Sequence, residues 1–280
     1  MGVNSFFDGT FEITTNILKS GCAVACKICP QKKLIEEYRP ESNVIYLSFD
    51  DFVTMLGKIP KTYRIDFSGY AEPFLNKRCM DMIEYASSQG YSVCCYTTLV
   101  GVTHDDVERL SKIPFDVSKS CPLHIHLPDK NETMPIKITD KYKGVLGDLM
   151  DRNLPFVSYM TMDDSGLVHD ELSDFFGKLG KFSAISRGSN LDNVSKVKRL
   201  SGKIQCKPMP KLNHNVVLPN GDVQLCCMDY GLDHTLGNIL NQSHESLFES
   251  EEFLNVVKNM NDDNHEDYLL CRNCEMAIQR

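Results

Sequence analysis

The chain has 280 residues, of which 42% are hydrophobic and 24% charged, a mixture that builds a sizeable buried core rather than a disordered or fibrous chain. Its 30 Lys and Arg stand against 38 Asp and Glu, and the net charge of −8 argues against a nucleic-acid backbone or an anionic membrane as the main partner. No apolar run approaches the ~20 residues of a membrane span, MGVNSFFDGTFE lacks a signal-peptide pattern, and Phe6 breaks the myristoylation pattern after Gly2, so a soluble, cytoplasmic protein is expected.

In chain order, FEITTNIL (11–18) reads as a strand and KKLIEEY (32–38) as a helix after a cysteine loop. YRIDFSGY (63–70) is a second strand, and NKRCMDMIEYASSQG (76–90) has helical periodicity ending at Gly90. YSVCCYTTL (91–99) makes the third strand, and Thr103 is placed to cap a helix over 103–113. PLHIHLP (122–128), PFVSYMTM (155–162) and KFSAISR (181–187) supply the fourth to sixth strands, separated by helix-like segments near 140–152 and 168–179. This alternation predicts an α/β fold with a parallel sheet and right-handed crossovers, either open or curled into part of a barrel. In the barrel form, function sits on the loops at the C-terminal strand ends, and the cysteine loop follows the first strand at that end. After about residue 200 the rhythm changes. HNVVLPNGDVQLCC (214–227) reads as a β-hairpin turning at Asn220-Gly221, and SHESLFESEEFLNVVKNM (243–260) as a helix. The expected organisation is a core domain over 1–200 and a small Cys-rich hairpin and helix domain over 201–280, too short to bury a good core without a metal staple.

Twelve cysteines are many for such a chain, and in a reducing compartment they read as metal ligands or buried thiols rather than disulfides. Cys79, Cys94, Cys95 and Cys121 lie mostly in apolar surroundings and read as small buried hydrophobes. SGCAVACKICPQ (20–31) is different. Cys22, Cys26 and Cys29 are spaced by three and then two residues, with no fourth cysteine near them. A structural zinc or an ordinary iron–sulfur cluster takes four protein ligands. Three thiolates leave one corner of a [4Fe–4S] cube open, and an open position makes a metal site reactive rather than structural.

CxxxCxxC after the first strand of an α/β chain resembles the radical S-adenosylmethionine (SAM) superfamily. The resemblance implies a partial (β/α)6 TIM-like barrel, SAM chelating the open iron, and one-electron cleavage of SAM to a 5′-deoxyadenosyl radical. DFSGYAEPFLN (66–76) resembles the family's Gly-Gly-Glu-Pro segment, although Tyr70-Ala71 replaces the usual close-packed glycine. This implies SAM-binding roles for Gly69 and for Glu72, whose carboxylate would accept a hydrogen bond from the SAM ammonium. By the same resemblance Thr97 or Thr98 in YTTLVG (96–101) touches SAM, and Ile28 packs near the adenine.

The terminal cysteines resemble the SPASM extension of radical SAM proteins in its shortened, twitch form. Cys206, Cys226, Cys271 and Cys274 would hold one auxiliary [4Fe–4S] cluster, the second of two. Cys227 could replace Cys226, but neighbours on a strand face opposite sides, and the glycine spacing favours Cys226. A zinc staple on the same four thiols is the alternative, because ligand type alone does not separate the two. Full ligation suits electron transfer and points to oxidation.

The chain is similar to the butirosin-pathway type of radical SAM dehydrogenase and to short proteins of bacterial polysaccharide gene sets. The implied reaction oxidises an alcohol of a small, carbohydrate-like substrate to a ketone, with the auxiliary cluster as electron acceptor and a flavodoxin- or ferredoxin-type protein as electron donor. Arg187, in SAISRGSNL, is the candidate for holding a substrate hydroxyl or the SAM carboxylate. His126, on one strand face with His124 in HIHLPD, is the candidate base. Tyr70 is the candidate to face the substrate, and Met228 and Asp229 follow the auxiliary ligands. The alternatives are peptide modification, for which no leader-binding region fits before Cys22, sugar epimerisation with Cys121 or Cys227 as hydrogen donor, and a non-catalytic zinc-stapled binding protein.

Overall fold

Strand β1 (Gly9–Ile13) sets the pattern of the sheet: Phe11 and Ile13 are fully buried on one face, and Thr10 and Glu12 point to the other. A computed structural model describes residues 7–118, 122–181, 185–192, 194–263 and 268–280. Strands β2 (Tyr63–Phe67), β3 (Ser92–Thr97), β4 (Leu123–Leu127) and β5 (Val157–Thr161) follow β1 in parallel. Their register aligns Glu12 with Asp66, Asp66 with Cys94, Tyr96 with His124, and His124 with Ser158. Ile65, Phe67, Val93, Cys95, Leu123, Ile125 and Leu127 enter the main apolar core. That core is completed by α2 (Phe49–Leu56), α3 (Cys79–Ser88), α4 (His104–Ser111) and α5 (Asp140–Asp151), through Phe52 and Met55, Met82 and Ile83, Val107 and Leu110, and Leu146 and Leu149. The helices therefore cover one face and leave the polar side chains on the other.

Local signals set the helix boundaries. In α4 the Thr103 hydroxyl accepts the Asp106 N–H at 3.2 Å, and the Asp106 carboxylate accepts the Thr103 N–H at 2.8 Å, a reciprocal cap. Helix α1 (Gln31–Glu41) begins directly after the cysteine loop, with Leu34 and Tyr38 buried. Three expectations are corrected. Only a single 3-10 turn, Asp170–Leu172, occupies the segment near 168–179, because Leu172 buries but Phe175 is 56% exposed, so no apolar stripe forms. The sixth strand is the pair β6 (Gly180–Lys181), beside β5; residues 182–184 lie outside the described residues, and Arg187 and Ser189 sit in a turn at positive φ. The helix over 243–260 is split into α6 (His244–Leu247) and α7 (Glu251–Met260), since Ser250 turns out of the helix to cap Phe253 at 3.2 Å.

The C-terminal part continues the same sheet. Strand β8 (His214–Val217) runs parallel to β1, and β9 (Asp222–Gln224) and β10 (Thr235–Asn238) follow antiparallel. The order is β10-β9-β8-β1-β2-β3-β4-β5-β6, an open sheet rather than a closed barrel. Gly221, at φ 89°, makes the expected turn between β8 and β9; a side chain there would collide with Leu240 and Asn238. A separate ribbon pairs β7 (Ile204–Cys206) with β11 (Ala277–Gln279). Among the described residues, no helix is long and apolar enough to cross a membrane.

Candidate active site and its two cysteine centres

The loop after β1 carries Cys22, Cys26 and Cys29, each partly exposed. Val24 and Ile28 of this loop pack with Met134 and Met162, placing an apolar wall beside Cys22 and Cys26. The Lys27 N–H donates to the Thr133 carbonyl at 2.8 Å, which ties the cysteine loop to the loop after β4. That second loop is itself folded around Asp129, whose carboxylate accepts the N–H groups of Asn131, Thr133 and Met134. Burial raises the Cys26 thiol, and its neighbours Cys29 and Cys22 raise it further, so the three sulfurs sense one another. Such a trio of soft donors fits three corners of an iron–sulfur cube.

Glu72 stands beside this loop at the end of β2. Its backbone N–H is 3.4 Å from Cys22 Sγ. Its carboxylate accepts the Thr97 hydroxyl at 2.6 Å, the Thr98 N–H and hydroxyl at 2.7 Å each, and the Phe74 N–H at 3.2 Å. Burial raises its pKa, with these donors opposing. Thr98 therefore engages Glu72 with both of its donors. Gly69 is held at φ 64°, where a Cβ would come within 2.2 Å of the Thr14 hydroxyl, and its N–H donates to Glu12 at 3.1 Å.

The face of the sheet opposite the helices forms a polar floor. Glu12 accepts His214 Nε2 at 2.6 Å and the Ser68 hydroxyl at 2.9 Å. Burial pulls the Glu12 pKa up, but His214, Ser68 and Gly69 outweigh it and hold the carboxyl at about 2. Burial works against the His214 cation, yet the Glu12 hydrogen bond and charge outweigh it and raise the His214 pKa. Arg64 grips Asp66 with two bonds, at 2.6 and 2.5 Å. Tyr96 stacks on His124 with ring centroids 4.6 Å apart, and His124 Nδ1 meets the Ser158 hydroxyl at 2.7 Å. Burial, with the charges of His124 and Arg187, pushes His126 down to about 4, so its imidazole is neutral at pH 7. Sequence reasoning singled out His124 and His126 but missed Glu12, Arg64, Asp66, Tyr96 and His214. The signal was present: GTFEI and YRIDF put charged side chains at alternate positions against apolar neighbours.

Arg187 is buried within electrostatic reach of Tyr230, Cys227, Cys29 and Glu12. Its backbone is left-handed, at φ 53°. Glu275 holds that turn by accepting the Arg187 and Gly188 N–H groups and the Ser186 hydroxyl, each at 3.1 Å. Tyr70 is only 1% exposed, and its hydroxyl lies 2.9 and 3.0 Å from the carbonyl oxygens of Cys226 and Asp229. Rather than facing open space, Tyr70 braces the segment that carries the auxiliary thiols.

Cys206, Cys226, Cys271 and Cys274 line one pocket, otherwise walled mainly by Met209, Leu212, Leu225, Met228, Leu270 and Met276, with His214 on its rim. Among the described residues no group of three or more His, Cys, Asp or Glu is arranged to hold a single metal ion; the four cysteines instead share the lining of one pocket. Burial raises all four, Cys274 to about 11, so uptake of a metal group would displace protons. Four thiols around an apolar hollow fit a fully ligated iron–sulfur cluster. Cys227 is not among the residues that line this pocket; burial and the Glu12 charge raise its thiol. Cys121 lies outside the described residues.

The fold is shared with several solved structures. Residues 206–275 match the SPASM family, an iron–sulfur cluster-binding domain. Among solved structures the chain is similar to BtrN in complex with AdoMet and 2-DOIA, at 19% identity over 98% of this chain and 94% of that one, with a TM-score of 0.61. It is also similar to native anSMEcpe with bound AdoMet and Cp18Cys peptide, at 14% identity over 95% and 86%, TM-score 0.51. SuiB of Streptococcus suis is similar at 10% identity over 97% and 71%, TM-score 0.50. No curated protein matches the sequence.

Proposed function

We propose that the chain is a radical SAM oxidoreductase that converts an alcohol of a small, carbohydrate-like substrate to a ketone. The observation that carries this reading is the polar floor lying between a three-thiol loop and a four-thiol pocket. When bound, the first cluster with SAM supplies a hydrogen-abstracting 5′-deoxyadenosyl radical, and the auxiliary cluster supplies an electron sink. The Glu72 carboxylate, fixed by Thr97 and Thr98, would accept the SAM ammonium, and Gly69 allows the turn that carries it to pack against Thr14. Ile28, with Val24, Met134 and Met162, offers the adenine an apolar wall. Arg187 orients a substrate oxygen. Neutral His126 accepts the hydroxyl proton, a role open to it at any pH above its lowered pKa. A flavodoxin- or ferredoxin-type protein delivers the electrons.

The likeness to BtrN, whose structure contains 2-DOIA, supports a small-molecule substrate, whereas the anSMEcpe structure contains a peptide. The test is anaerobic turnover of reconstituted protein with SAM, a reductant and a panel of cyclitols and sugars. Carbonyl product in step with 5′-deoxyadenosine is expected; SAM cleavage on these substrates with no carbonyl sinks the dehydrogenase reading. The buried Cys227 thiol, raised by burial and the nearby Glu12 charge, favours one second reading, epimerisation by return of a hydrogen atom from sulfur. Deuterium taken from heavy water into a product that keeps its alcohol selects that reading.

A further inference from the structure

Two polar side chains converge on one sulfur of the three-thiol loop. Gln31, the first residue of α1, donates Nε2–H to Cys29 Sγ at 3.3 Å. The second comes from 201 residues away: Tyr230 Oη lies 3.4 Å from the same sulfur. Tyr230 follows Cys226 by four residues and belongs to the auxiliary module.

That phenol is held in place from both sides, packed with Ile17, Leu34 and Tyr38 of the core and with Val216 and Leu218 of the auxiliary side. It is 4% exposed, and its ring packs on Tyr70 with centroids 4.5 Å apart. Tyr70 is in turn bonded to the carbonyls of Cys226 and Asp229, which precede Tyr230 by four residues and one. The Tyr230 N–H donates to the Met228 carbonyl at 3.0 Å, and the Asp229 carboxylate accepts the N–H groups of Asp233 and His234 at 2.9 Å each. As long as Cys29 keeps its proton, either partner of the pair can donate. A coordinated thiolate has none, which leaves the phenol as the donor. Hydrogen bonds to cluster sulfurs are among the levers that set iron–sulfur reduction potentials.

We infer that Tyr230 is a positioning residue through which the auxiliary module sets the reduction potential of the cluster held by Cys22, Cys26 and Cys29. The inference rests on the radical SAM reading above. Its sign follows from charge: a donor on the sulfur stabilises the added electron, so the contact raises the potential of the open cluster. The SAM-cleaving centre is thereby made sensitive to the conformation of the 226–230 segment.

The test is an EPR-monitored redox titration of the reconstituted full-length protein without SAM, comparing wild type with Tyr230→Phe and Gln31→Leu. The open-cluster wave is identified as the one missing in Cys22/Cys26/Cys29→Ala. Tyr230→Phe is expected to move that wave to lower potential and leave the auxiliary wave in place; Gln31→Leu should lower the same wave. An open-cluster potential unchanged in Tyr230→Phe while Gln31→Leu lowers it overturns the inference and leaves the functional reading standing. Were Tyr230→Phe to lose iron, 3-fluorotyrosine at position 230 replaces it. As a stronger donor it should raise the open-cluster wave, and no shift overturns the inference. A wild-type protein with no open-cluster wave overturns the functional reading itself.

Discussion

Glu72 is the residue whose environment is most specialised. Four donors from Thr97, Thr98 and Phe74 hold its carboxylate. Glu72→Gln keeps its shape but directs an amide N–H where a carboxylate oxygen accepts. We expect iron content to be retained and the SAM dissociation constant, measured by equilibrium binding, to rise about tenfold or more, the size of a lost charge-assisted bond. An unchanged constant would remove Glu72 from SAM binding. The Glu12–His214 pair makes a different prediction, about stability. Glu12 is held at about 2 against an ordinary 4.5, so its contribution is present above pH 4.5 and lost as the pH falls towards 2. His214 is raised above its ordinary 6.5, so its contribution is full below pH 6.5 and lost as the pH rises through the raised value. The pair is therefore strongest between pH 4.5 and 6.5. Urea denaturation of Glu12→Gln against wild type should show a larger deficit at about pH 5.5 than at about pH 9; equal deficits would mean that the pair is not ionic.

At the scale of elements, short polar contacts fix where helices and loops begin. Thr103→Ala removes the cap of α4 and should cost about 1 kcal/mol in chemical denaturation, with SAM cleavage unaffected. Arg272 fixes the loop between Cys271 and Cys274. It is 1% exposed and donates to the carbonyls of Leu200, Gly202, Asn259 and Asp262 at 2.7 to 3.2 Å. Arg272→Leu strands those acceptors and should cost ~3 kcal/mol or more. Iron should be lost from the auxiliary site before the three-thiol site, as read by iron content on mild warming. Elements with their own periodicity were legible in the sequence: β1 to β5 alternate, α4 announces its cap at Thr103, and Asn220-Gly221 announces the turn. The segment near 168–179 misled because Leu172 and Phe175 suggest a stripe that burial does not complete. Helix α2 was missed, since eight residues with Phe52, Met55 and Leu56 are too few to establish a period. The three-thiol loop was visible from spacing alone. The partners of Glu12, Cys29 and Arg187 were not, because alternation tells which face a side chain takes but not which distant strand or turn meets it there.

At the scale of the molecule, β8 lies against β1, and a single sheet joins strands from the first and last parts of the chain. Unfolding by urea should accordingly follow one transition by far-UV circular dichroism and tyrosine fluorescence alike; two separated transitions would mean that the sheet joins independent units. The same placement has a consequence for biosynthesis. The edge of β1 that β8 covers is synthesised about two hundred residues before its partner emerges. Until then the nascent chain presents an unpaired strand edge with a buried-type carboxylate, Glu12, still waiting for His214. Such long-range closure is slow and exposes the chain to wrong pairing. The last quarter of the chain thus completes the first strand, and ribosome-bound intermediates arrested before residue 214 should depend on chaperones to stay soluble.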